Sequence, residues 1–255
     1  GRAGRVGSIG TPAPKTPEAA DPGQRDIAAA PERATGYRSD MAAVRTGRFA
    51  VATANPLATQ AACRVLAGGG TAADAVVAAQ TVLGLVEPQS SGIGGGGGLV
   101  CFDARPGGGG GAGGRGAGRA VGGPGGLRRL ADVHAEHGEA PGRDLLAPAT
   151  TLADNGFAIS PRLAAAIAKD AGSLAVDPDA AAYFLNPDRS PKAAGSYLTN
   201  PAYAKTLGAV ASDPRAFYTG SIAAGIVEAV AETSGGRTPG AMTVADLANY
   251  RPGTR

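Results

Sequence analysis

Val86-Glu87-Pro88-Gln89-Ser90-Ser91-Gly92-Ile93-Gly94-Gly95-Gly96-Gly97-Gly98 is the stretch on which the reading of this chain turns. A proline stops the pattern before it, two hydroxyls come next, and then almost every residue lacks a Cβ. Such backbone turns sharply, adopts positive φ, and lies against other backbone or a ligand. A phosphate-binding loop is one reading of so many glycines. Both the P-loop and the dinucleotide fingerprint need a helix N-terminus next, however, and no Gly-Lys-Ser/Thr is present after this run. The run leads instead into Leu99-Val100-Cys101-Phe102, an apolar segment that reads as a buried strand. Nucleotide binding is therefore set aside, and the run is read as bare backbone packed beside a site.

Working outward, Asn55-Pro56 is a cap followed by proline at the first helical position. It predicts a helix to about Ala67, stopped by Gly68-Gly69-Gly70. Thr71 caps a second helix, with Asp74 three residues on as an imperfect capping box. That helix presents Val76, Val77, Leu83 and Val86 among alanines. It is apolar nearly all round and is expected to be buried and central, ending at Glu87-Pro88. Residues 48–52 read as a short strand. After the strand at 99–102 a return strand is expected, yet 107–114 is nearly all glycine, which is poor strand material. Helices are expected over 127–137, 144–154, 161–170, 201–212 and 221–232, with a short one capped by Thr243 and Asp246.

The chain has 255 residues, enough for one large domain or two small ones. Hydrophobic residues make up 43% but aromatics only 4%, and tryptophan is absent, so the core must be built from Ala, Val, Leu and Ile. Glycine reaches 42 residues without a Gly-X-Y period, which excludes collagen. Residues 1–36, rich in Gly, Ala, Pro and Arg without periodicity, read as a disordered or loosely attached leader to one domain over 37–255. The formal net charge of +3 comes without a basic stripe interleaved with aromatics, so nucleic acid is not an expected partner. No apolar run is long enough to span a membrane. No signal-like segment comes after Gly1, so any export signal is expected to have been removed or to lie outside this sequence.

Cys63 and Cys101 lack a metal-type spacing and read as small buried apolar groups, which leaves the redox compartment open. His134 and His137, with Glu136 and Glu139, lack the His-Glu-x-x-His order of metalloproteases. They read as the solvated end of an amphipathic helix, and no metal or cofactor is expected. Both histidines fall on that one helix, so no Ser-His-Asp or Cys-His arrangement can be assembled. If the protein is an enzyme, its general base is not expected to be histidine.

Three blocks, Asn55-Pro56-Leu57-Ala58-Thr59, Gly69-Gly70-Thr71-Ala72-Ala73-Asp74-Ala75 and Val86 through Gly97, together resemble the large subunit of gamma-glutamyltranspeptidases. Ala120-Val121-Gly122-Gly123-Pro124-Gly125, Asn155-Gly156-Phe157-Ala158-Ile159-Ser160, Ala216-Phe217-Tyr218-Thr219-Gly220 and the block from Met242 to Tyr250 agree, in the family's order, over about 44–251. The resemblance implies an α+β fold, the four-layer αββα sandwich of the Ntn hydrolases. This chain would be the helix-rich large-subunit part, completed by a small subunit cut from the same precursor. The new N-terminal threonine of that partner would be the nucleophile and its α-amino group the base, which accords with the want of a usable histidine. No catalytic residue is then expected in this chain. Glutathione or another γ-glutamyl donor would acylate the threonine, and water or an acceptor amine would take the glutamyl group. The resemblance also implies a periplasmic or extracellular location.

In the family an Arg-Glu pair on the strand after the glycine run holds the α-carboxylate of the γ-glutamyl group. Counting on from the run, the arginine falls on Arg115. A guanidinium fork suits a planar carboxylate and is worth about 2–3 kcal/mol when partly desolvated. The sequence departs from the family here: the glutamate is replaced by Gly116, the aromatic after the run by Gly98, and an ordered strand by the glycine tract. The chain ends at Arg255, before any Thr-Thr-His-type start of a small subunit, and alone is expected to be inert. Two alternatives stand beside the transpeptidase reading. One is a cephalosporin acylase-type relative using the same nucleophile. The other is a non-catalytic subunit of the same fold, favoured by the lost glutamate.

Overall fold

Asn55 does locally what its position promises: its side-chain oxygen accepts from the Leu57 N–H at 3.0 Å and starts helix α1, Pro56–Ala67. The structure, a computed structural model, describes residues 45–97, 99–102, 109–112, 124–232 and 239–252, with backbone alone for 100–102 and 109–112. The leader at 1–36 and Arg115 lie outside the described residues.

Helix α2, Ala72–Val86, opens on a complete capping box. Thr71 Oγ1 accepts from the Asp74 N–H at 3.2 Å, and Asp74 Oδ2 accepts from the Thr71 N–H at 2.9 Å. The shorter aspartate therefore serves as well as the usual glutamate. As expected, α2 is the central element. It packs against α1, against α3 (Gly125–His137) and against α4 (Gly142–Asn155), and α4 packs in turn on α7 (Pro201–Ser212). Its Ala78, Val82, Leu85 and Val86 are buried, while Val76 is 39% exposed, so the helix is covered on most faces but not all. Ala58, Ala61, Ala149, Ala153 and Ala204 are buried where these helices meet. Small residues let backbones approach closely, which suits a chain so poor in aromatics. Larger groups, including Leu145, Leu163, Ile167, Leu207 and Phe217, complete one continuous core.

The sheet is minor. Strand β1, Leu99–Phe102, pairs antiparallel with β2, Gly109–Ala112, in a register running from Leu99↔Ala112 to Phe102↔Gly109. The glycine tract thus forms the return strand its composition argues against. A ladder needs only backbone N–H and C=O, which glycine carries, so the pairing partner overrides propensity. Strand β3, Phe157–Ala158, pairs with β4, Tyr197–Leu198. Residues 48–52 are not a strand; Val51 is held instead by packing on the Ala62, Ala75 and Ala79 cluster. The remaining helices among the described residues are α5 (Pro161–Leu174), α6 (Pro178–Phe184), α8 (Gly220–Ala231) and α9 (Val244–Ala248), with a 3-10 turn at Pro214–Phe217. Helix α6 and the 3-10 turn go beyond the sequence expectation. Both are short segments started by an aspartate cap and a proline, Asp177-Pro178 and Asp213-Pro214.

Candidate functional site

The proline after α2 ends the helix at a residue with an unusual task. Glu87 is fully buried. Its Oε1 accepts from Asn55 Nδ2 at 2.8 Å and from Ser160 Oγ at 3.4 Å; its Oε2 accepts from Gln89 Nε2 at 2.6 Å and from Arg162 Nη1 at 3.2 Å. Its backbone carbonyl accepts from the Ser90 and Ser91 N–H groups at 3.0 and 2.9 Å. An unpaired carboxylate in such a place would be very costly, so this convergence of donors is what makes its burial tolerable. Two of the donors are helix caps. Asn55 caps α1 through its oxygen while its nitrogen reaches Glu87; Ser160 accepts from the Leu163 N–H at 3.0 Å to cap α5 while donating to Glu87. One carboxylate therefore ties the starts of α1 and α5 to the turn Pro88-Gln89-Ser90-Ser91. In the sequence, Glu87 reads only as a helix end. The long separations to Asn55 and Arg162 leave no local pattern to find it by.

The glycine run leaves this turn and crosses α2 and the start of α3. Gly126 N–H donates to the Gly95 carbonyl at 2.9 Å. A Cβ on Gly126 would stand 3.2 Å from that oxygen, and one on Gly84 would stand 2.7 Å from Tyr203 Oη and 3.5 Å from Gly92 Cα. Of these two glycines, Gly126 is the one the run itself crowds, whereas Gly84 is crowded by Tyr203 and has Gly92 only at ordinary contact distance. In the run, a Cβ on Gly92, Gly94, Gly95 or Gly97 would meet nothing within 4 Å among the described residues. The expected close approach of bare backbone is thus met on one side, where the Gly95 carbonyl lies against Gly126, while the Cβ directions of the run's own glycines are open among the described residues.

Two phenols fix the supports. Tyr203 donates to the Thr81 carbonyl at 2.7 Å, and burial pushes its pKa upward. Tyr218 donates to the Pro124 carbonyl at 2.5 Å and accepts from the Arg128 N–H at 2.7 Å, so it fixes the first turn of α3; burial pushes it up to about 12.

The histidine pair divides. His137 stays near the surface beside Glu136, at 3.5 Å, as expected. His134 does not: its Nε2 donates to the Ala140 carbonyl at 2.8 Å and lies 3.4 Å from Oδ1 of the fully buried Asp74. Burial pushes the Asp74 carboxyl upward, but N–H groups of Thr71, Glu139 and Ala140 donate to it and together hold it below the ordinary carboxylate range. Asp74 and His134 are 60 residues apart along the chain, and packing of α2 against α3 brings them together. They join the α3–α4 connection to the start of α2 rather than forming a metal site. No group of His, Cys, Asp and Glu fit to hold a metal occurs among the described residues, and no helix there is long and apolar enough to cross a membrane. Cys63 is a partly buried thiol on α1.

The site's chemistry is that of support. Glu87 has its oxygens engaged, Ser90 is exposed, and neither histidine reaches a serine or cysteine in any hydrogen bond of the described residues. Arg115, the residue expected to bind substrate, is among those not described.

Residues 58–108 and 111–255 match the family model described as Gamma-glutamyltranspeptidase. The chain is 34% identical over 227 residues to the glutathione hydrolase proenzyme of Bacillus subtilis, covering 78% of this chain and 38% of that protein. It is 32% identical over 236 residues to the acylase ACY 1 proenzyme of a Pseudomonas species, covering 80% and 41%. Among solved structures it resembles the transpeptidase CapD of Bacillus anthracis, with a TM-score of 0.72 at 27% identity over 82% of this chain and 71% of that one. It also resembles Helicobacter pylori gamma-glutamyltranspeptidase, with a TM-score of 0.74 at 25% identity over 84% and 67%. The chain spans about two fifths of the length of the curated relatives it matches. With its family-type glycine run and helix-rich fold in place, the chain belongs to the gamma-glutamyltranspeptidase family.

Proposed function

We propose that this chain is the large-subunit part of an Ntn hydrolase that transfers or hydrolyses the γ-glutamyl group of glutathione and related donors. The observation that carries the reading is the segment from Glu87 to Gly97, which matches the family in sequence, is anchored at its start by the buried Glu87 and is tied to α3 at Gly95. A small subunit cut from the same precursor completes the αββα sandwich and supplies the threonine nucleophile. The threonine hydroxyl attacks the γ-carbonyl carbon, its own α-amino group takes the hydroxyl proton, and that proton passes to the departing amine. Water or an acceptor amine then cleaves the γ-glutamyl ester. Arg115 holds the donor's α-carboxylate, and the enzyme works in the periplasm or outside the cell.

A second reading has a specific observation behind it. The glutamate expected after Arg115 is Gly116, and an acylase proenzyme is among the relatives at 32% identity. An acylase taking a cephalosporin side chain would use the same nucleophile without needing a carboxylate clamp. The test is hydrolysis of a γ-glutamyl anilide, and of an acylated cephalosporin, by the complete two-chain protein. Release from the anilide alone supports the transpeptidase reading. Release from the cephalosporin alone supports the acylase, and release from neither supports a non-catalytic subunit. In the transpeptidase case, Arg115→Ala lowers kcat/KM for the anilide roughly 30- to 150-fold, chiefly through KM. An unchanged KM removes Arg115 from the binding site.

A further inference from the structure

Glu87 is too heavily engaged to be only a helix end. One face of its carboxylate meets the caps of α1 and α5, the other meets Gln89 of the loop and Arg162 of α5, and its carbonyl holds the next turn of the loop. Main chain and side chain of a single residue thus grip the same segment, Pro88 to Ser91, from two directions. The ion pair within this grip is buried, with Glu87 fully covered and the Arg162 side chain 16% exposed. A buried ion pair is a poor way to gain stability, since well-packed apolar residues of similar size do as well or better. What such a pair does supply is one defined geometry, and the geometry defined here is that of the loop leading into the glycine run. We infer that Glu87 is a positioning residue of the reaction: it sets the path of residues 88–97, and through it the alignment of the groups that meet there in the complete enzyme. This inference rests on reading the chain as the large-subunit part of a γ-glutamyl-transferring enzyme.

Stability and positioning can be separated by experiment on the complete protein. Glu87→Gln keeps the shape but leaves the Arg162 guanidinium without its carboxylate; Glu87→Gln with Arg162→Met removes both charges. Gln89→Leu removes only the loop-side donor from a residue that is exposed, so it folds even where the buried variants do not. The expected result is a fall of roughly 10- to 100-fold in kcat for the γ-glutamyl anilide in all three, with KM within about threefold. The melting temperature drops in Glu87→Gln, recovers in the double variant, and is unchanged in Gln89→Leu. Recovery of kcat together with the melting temperature in the double variant overturns the inference, because Glu87 would then be a structural staple. Wild-type kcat in Gln89→Leu overturns it as well. Amide hydrogen exchange of the peptide covering 88–97 keeps the two claims apart. If the wild-type protein releases no anilide, the functional reading fails. Exchange at least tenfold faster in the double variant than in wild type still upholds the pinning of the loop, and equal exchange refutes it.

Discussion

Alanine at position 84 is a sharp probe of how the glycine run is supported. Gly84 sits inside α2, where alanine is intrinsically better than glycine by about 1 kcal/mol. In solvent the change would stabilise. In this structure the new methyl stands 2.7 Å from Tyr203 Oη, which is donating to the Thr81 carbonyl at 2.7 Å, and at ordinary contact distance, 3.5 Å, from Gly92 Cα. The phenol is partly buried and packed against the core, so it must either compress its neighbours, at about 1–3 kcal/mol, or give up its hydrogen bond, at about 1 kcal/mol. Cost outweighs propensity, and Gly84→Ala is expected to destabilise by about 2 kcal/mol. Tyr203→Phe removes the offending oxygen and by itself costs about 1 kcal/mol through the lost bond. In the Tyr203→Phe background, Gly84→Ala reverses sign and stabilises by about 1 kcal/mol. The cycle therefore carries a coupling of about 3 kcal/mol, far outside the range of independent sites. Urea unfolding followed by circular dichroism on the four proteins measures it. A neutral or stabilising Gly84→Ala single variant, or a cycle that adds to within about 0.5 kcal/mol, refutes the close approach of Gly84 to the Tyr203 oxygen.

Asp74→Asn puts an amide nitrogen among N–H donors and is expected to cost about 2 kcal/mol at neutral pH. Because the folded carboxyl is held below its ordinary value of 3.8, wild type keeps this advantage above the ordinary carboxylate range and loses it as pH falls through the depressed folded value. Melting curves from pH 7 downward should converge for the two proteins; a constant gap speaks against the hydrogen-bonded carboxylate. Tyr218→Phe orphans the Arg128 N–H and the Pro124 carbonyl and should cost about 1–2 kcal/mol in unfolding free energy. The Tyr218 pKa is raised in the folded state, so its contribution is full below the unfolded value of 10 and fades as pH rises toward about 12. If alkaline titrations of the wild type and this variant lose stability in parallel, burial of the phenol is not what shifts it.

Much of the frame is legible along the chain because its signals are local. Asn55-Pro56, Thr71 with Asp74, and Pro201 each act on backbone groups within one turn, and the helices they start lie where expected. The return strand is hidden because propensity describes a residue alone, whereas Gly109–Ala112 forms a strand by pairing with Leu99–Phe102. His134 escapes the sequence for the same reason: its distinguishing partner, Asp74, is on another helix.

The sequence by itself determined where the chain turns, which helices are apolar enough to be buried, and which family's pattern it resembles. The tertiary structure decided what Glu87 is. Its partners Asn55, Gln89, Ser160 and Arg162 are up to 75 residues away in the chain, and they meet only after α1, α2 and α5 pack. A buried charge depends on the directions from which donors arrive, and those directions exist only in the folded chain.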